Sequence, residues 1–146
     1  MVEVMRQRRE KALEAQQRHP SRIGSPFTAK VVGVSFVHGY PDNLHNLAAV
    51  QERAESSGEP LAVVLVRNPD NEYDPNAIEV HVPALGEKWG FIGHLSRPIA
   101  ARVAPEMDHG VLWGAEIVSV LIDPIHMDRP GIEIKCARAP EQKEEA

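Results

Sequence analysis

Apolar and polar residues alternate through most of this chain with the period of two expected of a half-buried strand, and Gly and Pro cut the alternation into short runs. Ile78-Glu79-Val80-His81-Val82 and Ile132-Glu133-Ile134-Lys135-Cys136 show it most plainly, each with one apolar and one wet face. The pattern predicts six strands, over 28–37, 61–67, 77–82, 89–95, 112–122 and 132–137. Leu61-Ala62-Val63-Val64-Leu65-Val66 is apolar throughout and is expected to be the central strand. Two stretches change to a helical period. Over 43–56, Leu44, Leu47, Ala48 and Ala54 fall near one face and Gly58 follows as a stop. Ser96 is placed to cap a second helix to about 107, with Ile99, Ala100 and Val103 inward, Pro98 tolerated in the first turn and Pro105 limiting its length. The implied fold is all-β with short helices: a six-stranded antiparallel β-barrel similar to the oligonucleotide-binding (OB) topology.

With 146 residues, the chain fits one domain able to bury a core without disulfides or a structural metal. Its single cysteine, Cys136, has no intrachain partner, and no closely spaced Cys/His set suits zinc, so a reducing compartment and no metal or other cofactor are expected. Cys136 shares the apolar face of its strand with Ile132 and Ile134, so it reads as a core residue rather than a nucleophile. No apolar run approaches the length of a bilayer span and the first residues lack a signal-peptide core, which predicts a cytoplasmic protein without membrane contact. The net charge of −5 is unevenly placed. Residues 1–24 are net +3 and read as a basic arm, 25–140 form a body of net −6, and 141–146 are a charged tail of net −2. An acidic body argues against broad binding along duplex DNA, which depends on neutralising many phosphates. Any nucleic-acid contact should therefore be small and local.

The segment Arg67-Asn68-Pro69-Asp70-Asn71-Glu72-Tyr73-Asp74-Pro75-Asn76-Ala77-Ile78 sets a polar turn between two apolar runs. Pro69 and Pro75 restrict the backbone, and Asp70, Asn71, Asp74 and Asn76 can bond their own main chain, so the loop should hold Tyr73 and Asp74 in a fixed pose. Taken alone, the segment reads first as a plain turn, with Asp74 opening it and Pro75 at its second position. Arg67 is expected to pair with Asp70 or Glu72.

The order of motifs resembles a HIRAN domain over about 27–138. The resemblance rests on Val31-Val32-Gly33-Val34-Ser35-Phe36, then the loop with Tyr73-Asp74-Pro75-Asn76-Ala77-Ile78, then Gly90-Phe91-Ile92-Gly93-His94-Leu95-Ser96-Arg97. It places the domain in 25–140 and implies an OB-like barrel that captures the 3′ end of single-stranded DNA without catalysis. Carried over position by position, it makes Tyr73 the ring that stacks the terminal base and Asp74 the acceptor of the terminal sugar hydroxyl. His94 and Arg97 would face phosphate, and Phe36 would be a second stacking aromatic. Eukaryotic members carry a basic residue and two aromatics where this chain has Ser35, Phe36 and Val37, so weaker affinity is expected.

Two other classes remain open from the sequence. One is an adaptor in which the 41–59 insertion or the basic arm recruits a replication or repair protein. The other is a metal-dependent nuclease, which the scattered histidines and the lack of a HExxH motif support poorly. Trp89 and Trp113 could be base platforms, although large rings in a small barrel usually fill its core.

Overall fold

A computed structural model describes residues 24–34, Val37, 40–122 and 131–139. The basic arm up to residue 23, the charged tail, Ser35, Phe36 and His38 lie outside the described residues. In chain order the elements are β1 (Phe27–Val32), α1 (Asp42–Ser57), β2 (Ala62–Arg67), β3 (Ile78–His81), α2 (Gly86–Trp89), β4 (Phe91–Leu95), α3 (Arg97–Asp108), β5 (Trp113–Leu121) and β6 (Gly131–Arg138). A 3-10 turn, Pro83–Leu85, immediately precedes α2. The strands close an antiparallel barrel in the order β1-β4-β3-β2-β5-β6, with β1 returning to β6.

Alternation explains the barrel interior. Val63 and Leu65 of β2, Ile78 and Val80 of β3, Ile92 and Leu95 of β4, and Ile132, Ile134 and Cys136 of β6 all point inward and are buried. Fully burying one such aliphatic side chain contributes about 1.5–3 kcal/mol, so the inward rows dominate stability. α1 buries Leu44 and Leu47 against this core, and α3 buries Ala100, Val103 and Ala104.

Several expectations need correction. The all-apolar 61–66 run is not a central strand, because a closed barrel has none. Its side chains alternate, leaving Val64 47% and Val66 37% exposed on the outer face. The first strand stops at Val32 rather than 37, since Gly33 turns the chain at φ +73. Residues 89 and 90 precede β4, and the short helix α2 was not predicted. α3 runs through Pro105 to Asp108, and Pro105 is buried inside it. Ser96 occupies the N-cap but its side chain makes no cap bond. One of the two usual donors, the N–H at the second helical position, is missing because that residue is Pro98. α1 also buries Asn43 and Gln51, which the apolar periodicity did not mark.

Trp113 belongs to the core. Its ring meets Phe27 edge-on at 5.5 Å, and its indole N–H donates to Glu106 Oε1 at 3.3 Å. Arg138 forks onto the same carboxylate, with Nε to Oε1 at 2.7 Å and Nη2 to Oε2 at 2.9 Å, and Glu106 holds the guanidinium above its usual range. This cluster ties α3 to the start of β5 and the end of β6. Trp89 is half-buried, with Lys88 Nζ 4.9 Å from the centre of its ring.

Cys136 is fully buried, and burial pushes its thiol up to about 12. A thiol reagent at pH 8 should therefore leave the native protein unmodified and label one thiol per chain in denaturant. Rapid labelling of folded protein would show the β6 assignment to be wrong.

Candidate functional site

The loop between β2 and β3 folds on its own side chains. The Asn68 N–H donates to the Ala77 carbonyl at 2.9 Å, and the Ala77 N–H donates to the Asp74 carbonyl at 3.1 Å, which closes the loop at its base. Asn71 Oδ1 accepts the N–H groups of both Tyr73, at 2.9 Å, and Asp74, at 3.0 Å. Asp74 Oδ1 accepts the Asn76 N–H at 2.9 Å, and Asn68 Oδ1 accepts that of Asp70 at 3.2 Å. These Asx turns are what Asn and Asp at this spacing favour, and they fix the backbone under Tyr73 and Asp74.

Arg67 does not pair with Asp70 or Glu72. Its Nε and Nη2 donate to the two carboxylate oxygens of Asp108 at 3.1 and 3.2 Å, and its Nη1 donates to the Ala77 carbonyl at 3.0 Å. The end of β2 lies beside the end of α3, which brings Asp108 within reach of Arg67. The negative pole of that helix adds to the charge of Asp108 in attracting a cation. Arg67 thus anchors the loop to the helix and faces away from any ligand role.

A cleft of about 210 Å³ opens beside this loop, lined by Val32, Asn71, Tyr73, Asp74, Ala77, His94, Leu95 and Arg97. Four of the five candidate residues from the sequence meet here. Tyr73, Asp74, His94 and Arg97 are brought together, whereas Phe36 lies outside the described residues. Tyr73 is 79% exposed, so its ring serves no core. Arg97, in the first turn of α3, donates through Nη2 to the Tyr73 carbonyl and so joins the loop to the helix. Asn71 and Val32 were not singled out as lining residues. The turn chemistry of Asn71 was legible in the sequence, but its position in the wall was not.

Register places His94. It stands opposite Val32 on β1 and Glu79 on β3, in an outward row. Its Nε2 is buried without a hydrogen-bond partner, a state that costs about 1–3 kcal/mol unless a ligand compensates it. The neighbouring acid is already engaged. Glu79 accepts from Asn68 Nδ2 at 2.9 Å and lies 2.9 Å from His81 Nε2. The carboxylate facing the cleft is therefore that of Asp74, whose Oδ2 is left to accept after Oδ1 has taken the Asn76 N–H. Beside it stand a guanidinium and an imidazole, an arrangement that can hold a hydroxyl donor and an anion side by side.

Among the described residues no group of three His, Cys, Asp or Glu side chains could hold a metal ion, and no helix is long and apolar enough to cross a membrane.

The family model for the HIRAN domain matches residues 27–138. Among solved structures, the chain is similar to the crystal structure of a protein from Lactobacillus plantarum, with 23% identity and a TM-score of 0.56, covering 77% of this chain and 92% of that one. It is also similar to the HIRAN domain of human HLTF, with 20% identity and a TM-score of 0.51, covering 77% of this chain and 74% of that one. At these identities the two likenesses concern the fold. No curated protein matches the chain.

Proposed function

The chain belongs to the HIRAN domain family of nucleic-acid-binding modules, and from that premise we propose that its cleft takes the free 3′-hydroxyl end of single-stranded DNA and performs no chemistry on it. The observation that carries this reading is the presence of Asp74 in the same cleft as Arg97 and His94. An internal nucleotide would bring a phosphate to the carboxylate, and like charges a few ångströms apart repel strongly away from bulk water. A terminal sugar brings a hydroxyl, which donates a hydrogen bond to that carboxylate. Tyr73, rigidly held and exposed, stacks the last base. Arg97 and His94 face the adjacent phosphate, helped by the free N–H groups of the first turn of α3. The acidic body accords with a contact of this size, limited to one strand end.

Competition among labelled single strands tests the reading. A strand with a free 3′-hydroxyl should displace bound probe at a concentration at least about tenfold below that needed by the same strand ending in a 3′-phosphate, because the added charge meets Asp74. Equal competition by hydroxyl-ended, phosphate-ended and circular strands would eliminate end capture. Absence of DNA binding even at low salt would instead favour an adaptor that recruits a replication or repair protein.

A further inference from the structure

Phe91 is a large aromatic side chain that the core does not use. It lies at the start of β4, half-buried, and is absent from both the buried cluster and the partly buried residues packed on it. Register puts it in an outward row across three strands, opposite His81 on β3, which in turn is opposite Val64 on β2. The Phe91 and His81 rings stack at 5.1 Å with planes 15° apart. On its other side Phe91 meets His94, in the cleft wall, at 5.2 Å and 82°. An aromatic and apolar strip therefore begins one ring away from the cleft and runs outward over the barrel to Val64.

We propose that Phe91 and His81 form a second nucleobase platform, which packs a base upstream of the strand end held in the cleft. The proposal rests on the end-capture reading and adds the path of the strand to it. Three features favour a nucleobase as occupant over a peptide or a second copy of the chain. The strip is continuous with the cleft through the Phe91–His94 contact. Its ring spacings amount to a few nucleotide steps, given about 3.4 Å per step along a stacked strand, so the second to fourth nucleotides reach it. The acid beside it, Glu79, stands opposite His94, and its two carboxylate oxygens are already met by Asn68 and His81. Stacking on aromatic rings is indifferent to base identity, so the platform would add affinity without sequence preference.

An abasic scan tests it on the full chain. Six-nucleotide single strands with a free 3′-hydroxyl carry one abasic sugar at successive positions from the end, and affinities are read by fluorescence anisotropy. One position among the second to fourth should lose about tenfold, the share of one stacked base. In Phe91→Leu, which keeps apolar bulk, that position should become insensitive, and Phe91→Trp should restore the penalty. The preference for a hydroxyl over a phosphate end should survive in both variants. If the preference is present but no abasic penalty depends on Phe91, the platform alone is overturned. If the parent protein shows no end preference, end capture falls and the platform falls with it.

Discussion

Tyr73→Ala should weaken binding of a hydroxyl-ended single strand by about tenfold or more, the equivalent of the roughly 1–3 kcal/mol that one stacked base contributes. The ring is 79% exposed and packs on nothing in the core, so removing it should change folding stability by no more than about 0.5 kcal/mol. Tyr73→Phe, which keeps the π-face, should bind nearly as the parent does. The same assay separates the other groups in the cleft. Asp74→Asn keeps an oxygen for the Asn76 N–H while removing the charge, so it should shrink the discrimination against a phosphate end more than it lowers affinity. Arg97→Ala should weaken binding and reduce the slope of log affinity against log salt by about one, the signature of a lost phosphate contact. It also frees the Tyr73 carbonyl, so its loss should exceed that of a phosphate contact alone. A Tyr73→Ala protein that binds as tightly as the parent would remove the stacking role and with it the fixed pose as an explanation of the loop.

What the sequence disclosed follows from which forces are local. β3 and β6 were legible because each buries one face, so alternation reports burial directly. The same logic misled at β2, where outward Val64 and Val66 are as apolar as inward Val63 and Leu65 and nothing in the run reveals which face is wet. The predicted first strand overruns β1 because apolar residues continue past Gly33, whose left-handed turn ends the strand. At the site, the Asx turns of Asn71 and Asp74 act within three residues and could be read from spacing. The clamp of Arg67 on Asp108, across 41 residues, could not. Nor could the Glu106 carboxylate shared by Trp113 and Arg138, or the row joining Val64, His81 and Phe91, because each depends on cross-strand register or helix docking that composition does not encode.

Gly93→Ala should be among the most destabilising single substitutions in the chain, costing about 3 kcal/mol or more, at the severe end for a point change. Gly93 sits at φ +147, and a Cβ built there would lie 2.5 Å from the Val32 carbonyl oxygen and 2.7 Å from Val31 Cγ1. Relief would require backbone to move, not a flexible side-chain tip. That backbone is the seam between β1 and β4, which among the described residues is held by the pairs Val31 with Leu95 and Val32 with His94. Shifting it opens the barrel and displaces His94 and Val32, two walls of the cleft. The glycine before His94 is thus part of the site's construction, and variants that still fold should lose DNA affinity as well as stability. Gly114→Ala provides the contrast. A Cβ at Gly114 meets nothing within 4 Å, and its φ is not left-handed, so the substitution should be neutral or stabilising by up to about 1 kcal/mol through the unfolded state. Urea denaturation of the two variants beside the parent gives the comparison. A Gly93→Ala protein with the parent's midpoint would mean that β1 and β4 do not approach as closely as the barrel requires, and the placement of His94 would fall with that seam.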